Sequence, residues 1–140
     1  MKSTAPKEAE IMIYDQIGKD YWGDNSSVEA KKFIADLKGL GELDTLNIRI
    51  NSPGGSVVEG NAIYNALKSH TANKVVTIDS LAASMASVIA MVGDTVNMPK
   101  NAMMLIHNPQ SSAYGDANDM RQRADILDKF KVGSVSAYVQ

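Results

Sequence analysis

Hydrophobic and polar positions along the chain follow two periods, one typical of strands and one typical of helices. Short apolar or β-branched runs predict four strands, at residues 10–14, 46–51, 75–78 and 103–106. After these runs, small and apolar residues recur at spacings of three and four or form longer runs, which predicts helices. The order is a strand and then a helix, four times. This alternation predicts an α/β fold with a mostly parallel sheet and helices packed on it.

Signals for the starts of helices support this order. Ser26 and Ser56 each stand three residues before a glutamate, the capping-box pattern that satisfies orphan N–H groups at a helix start. A third helix is expected in the small and apolar residues 82–92, and a fourth from about Asp116. Each predicted helix follows a strand, as crossover connections in a parallel sheet require.

The two ends of the chain differ in pattern from its middle. Residues 1–9 are polar without a period, so we expect a tail there and a folded domain over residues 10–140. The last predicted helix reaches Gln140 without a glycine cap, a proline or a closing loop. We therefore expect the domain to be truncated in its C-terminal part.

Composition narrows the functional classes. The 140 residues are 44% hydrophobic and 21% charged, which suits one domain with a buried core. Cysteine is absent, which excludes disulfides, thiolate metal sites and a cysteine nucleophile. The net charge of −2 offers no basic stripe to nucleic acid, and no apolar run reaches the roughly 18 residues of a membrane span. We expect a cytoplasmic protein with no nucleic acid or membrane partner.

The first candidate for chemistry is the turn formed by Pro53, Gly54 and Gly55, between a predicted strand and a capped helix. Glycines adopt backbone conformations closed to other residues, so this turn can direct N–H groups outward at a helix N-terminus. An ordinary Pro-Gly turn is the alternative. A phosphate loop is disfavoured because the Gly-Lys-Ser/Thr ending is missing.

The second candidate is Ser84, which follows a buried strand in the run Ala-Ala-Ser-Met-Ala. Small neighbours permit a sharp strand-to-helix turn that exposes the serine, as in a nucleophile elbow. The N–H of Met85 would then point to the same spot as the serine oxygen. The alternative is a serine that serves close packing in an alanine-rich helix.

The third candidate is His107, at the end of the predicted strand 103–106. The other histidine, His70, is expected at a helix C-terminus, where a cation complements the helix dipole. A histidine with a pKa of about 6.5 suits the role of base for a serine nucleophile, and a structural role is the alternative. Serine, histidine and glycine turn together supply a nucleophile, a base and oxyanion donors, the minimum for acyl transfer.

Three blocks of this sequence resemble the signature blocks of the Clp protease proteolytic subunit (ClpP) family. They are residues 47–56 (NIRINSPGGS), 82–86 (AASMA) and 104–109 (MLIHNP), in the family's order and with similar spacings. The resemblance covers roughly residues 11–130. Within the family, the sequence is more similar to phage or prophage members, often linked to head maturation, than to the housekeeping enzyme.

The resemblance implies a ClpP/crotonase-like fold and a serine endopeptidase that needs no cofactor or metal. Ser84 would be the nucleophile, His107 the general base and acid, and the backbone N–H groups of Gly55 and Met85 the oxyanion hole. An extended peptide or unfolded protein substrate would be hydrolysed inside a ring-shaped homo-oligomer. The residues expected to bind that substrate are Gly54, Ser56, Val57, Asn108, Pro109 and Gln110.

Two departures from the family's pattern bear on activity and partners. The family's triad aspartate lies beyond the long helix that follows the histidine, and no residue here matches it. The acidic residues after the histidine are interpreted as surface charge and helix-dipole matching; they are Asp116, Asp119, Asp125 and Asp128. The family's axial loops, which engage an AAA+ unfoldase, have no clear counterpart in residues 1–10. An unfoldase and phage capsid proteins are both kept as candidate partners.

Three other functions stay as alternatives. A signal-peptide-peptidase-like protease with a lysine base is disfavoured by the His-Asn-Pro sequence at residues 107–109. A crotonase-type acyl-CoA enzyme is disfavoured by the serine block and by the negative net charge. A catalytically silent assembly or scaffold module with the same fold is the main alternative, because the triad aspartate is missing.

Overall fold

The computed structural model describes residues 6–19 and 26–140, and in this part of the chain it contains seven strands and four helices. In chain order they are β1 Glu8–Tyr14, β2 Gln16–Ile17, β3 Ser27–Val28, α1 Ala30–Gly39, β4 Thr45–Ser52, α2 Val57–Ser69, β5 Asn73–Ala83, α3 Met85–Ala90, β6 Thr95–Asn97, β7 Met103–Leu105 and α4 Ala117–Tyr138. Strands β1, β4, β5 and β6 are neighbours in this order in the main sheet, and β7 also pairs with β5. All these pairings are parallel, which confirms the predicted α/β class.

Strand β5 organises the sheet because two short strands share one of its edges. Its residues 75–77 pair with β6, and its residues 81–83 pair with β7. The last pair in the second ladder joins Ala83 to Leu105. The carboxyl ends of β5 and β7 therefore lie side by side, with Ser84 one residue past the first strand and His107 two residues past the second.

The core lies between the main sheet and the helices. Alternate residues of β4, namely Leu46, Ile48 and Ile50, are fully buried, and they belong to one apolar cluster with residues of α1, α2 and α3. The period of two places one face of a strand against the helices and the other face away from them. The helices that carry the candidate loops are thus anchored on the apolar face of the sheet.

The other face of the sheet carries a polar cluster that spans three strands. The Asp79 carboxylate of β5 accepts hydrogen bonds from the Arg49 guanidinium of β4, with Nε 2.9 Å from Oδ1 and 3.0 Å from Oδ2. The Tyr14 hydroxyl of β1 donates to Asp79 Oδ2 at 2.5 Å. Hydrogen bonds from Arg49 and then from Tyr14 lower the pKa of Asp79 below its ordinary value.

The predicted capping box at Ser26 is wrong. Ser26 is followed by strand β3, and α1 begins at Ala30 with Glu29 as an N-cap whose side chain makes no capping hydrogen bond. The Ala30 N–H donates instead to Oε2 of Glu59, from helix α2, at 2.8 Å. The sequence pattern around Ser26 was misleading for two reasons. Residues 27–28 pair with β2 and are therefore extended. The start of α1 is capped by a carboxylate that is distant in sequence.

The predicted start of α2 at Ser56 is confirmed, but only one of the two hydrogen bonds of a capping box is present. The Ser56 hydroxyl accepts from the Glu59 N–H at 3.3 Å, as an N-cap does. The Glu59 carboxylate contacts α1 rather than returning to Ser56, whose own N–H donates to the Ile17 carbonyl oxygen at 2.8 Å. One glutamate thus joins the starts of two helices.

The predicted helix over residues 82–92 is too long at both ends. Strand β5 continues through Ala82 and Ala83, which are buried and pair with Met104 and Leu105 of β7, and α3 covers only Met85–Ala90. Small apolar residues suit a buried strand as well as a helix, so periodicity could not place this boundary.

Three short strands and one strand end were not predicted. Strands β2, β3 and β6 have two or three residues each and carry no hydrophobic period. Strand β1 begins at Glu8, two residues inside the expected tail, because Glu8 and Ala9 pair with Thr45 and Leu46 of β4. Residues 1–5 of that tail lie outside the described residues.

Helix α4 is the longest element and lies mostly in solvent. Asp116 and Asp119 form a capping box at its start, and Ala137 is its one buried residue. It packs against α3 near its last turn, where Tyr138 is partly buried. In the described part of the chain, none of the helices combines the length and the apolar character needed to cross a membrane.

Candidate active site

The turn between β5 and α3 holds Ser84 in an unusual backbone conformation, with φ 53° and ψ −125°. Among the described residues, Ser84 and Asp15 are the two non-glycine residues with positive φ. A side chain in this region costs about 1–3 kcal/mol of strain, and such residues cluster at active sites. The sequence-predicted nucleophile therefore stands on a sharp strand-to-helix turn, the geometry of a nucleophile elbow.

Both backbone groups of Ser84 are hydrogen-bonded. Its N–H donates to the Leu105 carbonyl oxygen of β7 at 2.8 Å, and its carbonyl oxygen accepts from the Ser87 N–H at 3.0 Å. The same carbonyl oxygen accepts from the buried Ser87 hydroxyl at 2.5 Å, and that hydroxyl lies 2.7 Å from the Tyr138 hydroxyl of α4. Sequence reasoning missed Ser87 and Tyr138, because no sequence signal joins residues 51 positions apart.

Gly54 lies directly against the Ser84 turn. Its φ is 88°, and a Cβ at this position would lie 2.5 Å from the Ala83 carbonyl oxygen and 2.7 Å from the Ser84 Cβ. Both the positive φ and the close approach require glycine. The glycine turn and the serine turn, separated by about thirty residues, are therefore packed together as the sequence predicted.

Gly55 continues the loop and pairs with Ile17. Ile17 donates its N–H to the Gly54 carbonyl oxygen and accepts from the Ser56 N–H, both at 2.8 Å. Both backbone groups of Ile17 thus bond the residues on either side of Gly55. The N–H of Gly55 takes no part in this pairing, which leaves it for another acceptor.

A buried serine supports the glycine loop from below. The Ser52 hydroxyl donates to the Asp15 carbonyl oxygen at 2.6 Å and accepts from the Gly54 N–H at 3.1 Å. Ser52 is 1% exposed, and it was not among the predicted site residues. Its place on the buried face of β4, two residues after Ile50, is the signal that could have identified it.

Met85 is the first residue of α3, so its N–H has no acceptor within the helix. Its nitrogen would lie 2.9 Å from a Cβ at Gly54, so this N–H is beside the glycine loop. The Met85 side chain is buried, and it packs so closely on Gly60 of α2 that a Cβ there would overlap it. A core contact therefore holds the residue that was predicted to supply an oxyanion donor.

His107 is exposed, and its Nδ1 lies 2.7 Å from the Asn108 carbonyl oxygen. A carbonyl oxygen can only accept, so this contact favours the tautomer with the proton on Nδ1 and leaves the Nε2 lone pair available. The β5–β7 register places His107 at the same end of the sheet as Ser84, where the carboxyl ends of the strands lie. The structure thus assembles serine, histidine and glycine loop at one end of the sheet.

The remaining predicted binding residues follow two strands at this end of the sheet, β4 and β7. Asn108 and Gln110 are exposed and Pro109 is half-buried after β7, while Val57 begins α2 and Ser56 caps it. The N–H of Ser56 is used within the fold, and its hydroxyl accepts from the Glu59 N–H, so the contribution of Ser56 to a ligand would come from its side chain, through the hydroxyl proton and the remaining lone pair.

The other histidine and the acidic residues of α4 have positions outside the candidate site. His70 lies at the end of α2 as predicted, but its Nδ1 accepts from the Ala72 N–H at 3.2 Å, a contact made by the neutral imidazole and not by a cation. Asp116 and Asp119 cap α4, and Asp125 and Asp128 are exposed on it. Across residues 6–19 and 26–140, no cluster of acidic or histidine side chains could hold a metal ion.

Comparisons with known proteins agree with this geometry. A family model described as Clp protease matches residues 2–140. The chain is 36% identical over 89 residues to the ATP-dependent Clp protease proteolytic subunit of Bacteroides fragilis, covering 61% of this chain and 42% of that protein. It is 40% identical over 95 residues to proteolytic subunit 2 of Tropheryma whipplei, covering 63% and 51%. For the subunit of Ligilactobacillus salivarius the identity is 33% over 125 residues, covering 85% and 59%.

The chain thus spans about half the length of the relatives that it matches. The family match covers the glycine loop, the serine turn and the histidine strand of this chain, since it runs from residue 2 to residue 140.

Proposed function

Because the chain belongs to the Clp protease family, we propose that it is a serine peptidase with Ser84 as its nucleophile and His107 as its general base. The observation that carries this proposal is the conformation of Ser84, at φ 53° and ψ −125° on a strand-to-helix turn. Such a strained conformation is unnecessary for a serine that only fills space in a helix. It is expected where the hydroxyl must face a substrate carbonyl.

In the first step, the Ser84 Oγ attacks the carbonyl carbon of a peptide bond and its proton passes to Nε2 of His107. The contact of Nδ1 with the Asn108 carbonyl oxygen supports this role, because it favours the tautomer in which Nε2 can accept. A triad carboxylate would favour the same tautomer. The main chain after His107 therefore contributes part of the orientation that the base requires.

The negative charge that develops on the carbonyl oxygen needs N–H donors. The Met85 N–H at the start of α3 and the Gly55 N–H of the glycine loop are our candidates, and both loops pack around Gly54. Losing a single such donor reduces the rate by about 10²–10³ in a well-studied protease. The tight fit of Gly54 against Ser84 is thus a catalytic requirement under this proposal.

Three further proton transfers complete the reaction. The His107 imidazolium gives its proton to the leaving amine as the C–N bond breaks, which leaves an acyl group on Ser84. Water then loses a proton to His107 and attacks the acyl carbon, and that proton returns to the Ser84 oxygen when the ester breaks. The enzyme is regenerated and a carboxylic acid is released.

For the substrate, we propose an extended peptide or an unfolded protein held by main-chain hydrogen bonds, a mode that discriminates weakly between sequences. The segments expected to hold it flank Ser84 on both sides. The binding residues remain those proposed from the sequence, namely Gly54, Ser56, Val57, Asn108, Pro109 and Gln110.

We also propose that the chain works in a homo-oligomeric ring. The relatives that match are named ATP-dependent proteolytic subunits, which supports delivery of the substrate by an ATP-driven unfoldase. Phage capsid proteins are the other candidate substrates, on the basis of the resemblance to prophage members. Native mass spectrometry would give the ring size, and a strictly monomeric species at high concentration would contradict assembly.

The proposal is tested by labelling with a fluorophosphonate probe, which modifies activated serines. We expect the probe to label the wild type and not Ser84→Ala, and to label His107→Ala far more slowly. Ser80→Ala is the matched control, because Ser80 is an exposed serine on the same strand. Labelling that persists in Ser84→Ala would exclude Ser84 as the nucleophile.

A catalytically silent assembly module is the second candidate function. It is favoured by one observation, that among the described residues no carboxylate forms a hydrogen bond or an ion pair with His107. An intact ring without any labelling at Ser84 would select this function over the peptidase.

A further inference from the structure

A chain of hydrogen bonds runs from the last turn of α4 to the backbone of Ser84. The Tyr138 hydroxyl lies 2.7 Å from the Ser87 hydroxyl, which donates to the Ser84 carbonyl oxygen at 2.5 Å. Ser87 is fully buried, and Tyr138 is partly buried against α3. These two hydrogen bonds link the long exposed helix α4 to the proposed nucleophile through Ser87.

Which hydroxyl donates in each of these two hydrogen bonds follows from the single proton that each hydroxyl carries. The Ser87 hydroxyl has one proton, and that proton is used on the Ser84 carbonyl oxygen. Tyr138 must therefore donate to Ser87. Burial raises the pKa of Tyr138 above its ordinary value, so the phenol keeps the proton that it has to donate.

The carbonyl of Ser84 matters because it shares a peptide plane with the Met85 N–H. A trans peptide is planar, and its C=O and N–H point in opposite directions. A hydroxyl that fixes the Ser84 carbonyl on the α4 side therefore fixes the direction of the Met85 N–H on the opposite side. The backbone of Ser84 is strained at φ 53° and ψ −125°, and rotation of this peptide plane about ψ would relieve the strain if the hydroxyl were removed.

We propose that Ser87 and Tyr138 are positioning residues, which hold the Ser84–Met85 peptide plane so that the Met85 N–H faces the substrate oxyanion. This inference rests on the proposed function, since it concerns the same Ser84 and the same oxyanion donor. Under this proposal, packing of the last turn of α4 against α3 affects the reactivity of Ser84. A residue at the far end of the chain thus acts on the nucleophile through one buried serine.

The test uses three variants of the full chain and one control. Tyr138→Phe and Ser87→Ala each remove one hydroxyl, the double variant removes both, and Tyr114→Phe removes the hydroxyl of a fully exposed tyrosine. The maximal rate of fluorophosphonate labelling and the probe concentration at half-maximal rate are measured separately. Circular dichroism establishes that each variant is folded.

We expect Ser87→Ala to lower the maximal labelling rate about tenfold and Tyr138→Phe to lower it about threefold, with the half-maximal concentration unchanged. In the double variant, the rate should equal that of Ser87→Ala, because Tyr138 acts only through Ser87. Tyr114→Phe should be unchanged. Unchanged rates in both single variants, or reductions that multiply in the double variant, would overturn the proposal.

A second measurement separates this inference from the peptidase proposal. The amide ¹H and ¹⁵N shifts of Met85 report the orientation of the peptide plane whether or not Ser84 reacts. If the wild type is never labelled, the proposed function fails, while Met85 shifts that move in Ser87→Ala and Tyr138→Phe but not in Tyr114→Phe still support positioning. Met85 shifts that are identical in all variants overturn it.

Discussion

The N–H of Ser84 donates to the carbonyl oxygen of Leu105 at 2.8 Å, one residue beyond the last paired residue of β5. This bond extends the β5–β7 ladder into the nucleophile turn. The chain needs only two more residues after Leu105 to reach His107. Because a slip of one residue moves every side chain of a strand to the other face, this register determines whether the two proposed catalytic residues can meet.

The close packing of Gly54 against the serine turn predicts the effect of Gly54→Ala. The new Cβ would lie within 3 Å of the Ala83 carbonyl oxygen, the Ser84 Cβ and the Met85 nitrogen, at a φ of 88°. We expect a loss of about 2–4 kcal/mol in the free energy of unfolding, measured in urea, together with loss of labelling at Ser84.

Gly133→Ala is the matched control for Gly54→Ala. A Cβ at Gly133, in the exposed helix α4, would meet no atom within 4 Å. Alanine should stabilise this helix by up to about 1 kcal/mol. Equal stabilities of the two variants would contradict the packing around Gly54.

A second glycine substitution, Gly60→Ala, tests the role of Met85 as oxyanion donor without a change at Ser84. A Cβ at Gly60 would overlap the Met85 side chain, which supplies its three nearest atoms and is a flexible group that can shift. We expect Gly60→Ala to fold with a loss of about 1–3 kcal/mol and to label more slowly, because Met85 moves with its side chain. Urea unfolding and labelling kinetics measure the two effects, and a labelling rate equal to the wild type would show that the Met85 backbone is held independently of its side chain.

The parallel sheet and the turns at Gly54 and Ser84 could be predicted from the sequence because each depends on local pattern. Apolar runs mark the strands, and the turns at Gly54 and Ser84 carry small residues that a sharp backbone requires. Contacts between distant residues could not be predicted in this way. The Glu59 cap on α1 and the link from Tyr138 to Ser87 are formed only when the helices pack, so the sequence around each residue carries no sign of them.

The shared glutamate gives a prediction about stability alone. Glu59 Oε2 accepts from the Ala30 N–H at the start of α1, whereas the Glu29 side chain makes no capping bond there. We expect Glu59→Ala to destabilise the fold by about 1 kcal/mol and Glu29→Ala to have a smaller effect, measured by urea unfolding at the same pH. A larger loss for Glu29→Ala would mean that the local residue caps α1 after all.

The Asp79 cluster predicts how stability depends on pH. Hydrogen bonds from Arg49 and Tyr14 lower the pKa of Asp79 in the folded chain below the unfolded value of about 3.9. The ionised carboxylate therefore stabilises the fold above that pH, and the contribution is lost as the pH falls through the folded pKa. We expect the urea midpoints of the wild type and Asp79→Asn to differ most near neutral pH and to converge in strong acid. Asp125→Asn removes the same charge from an exposed site on α4, so a pH profile shared by both variants would assign the effect to net charge and not to the cluster.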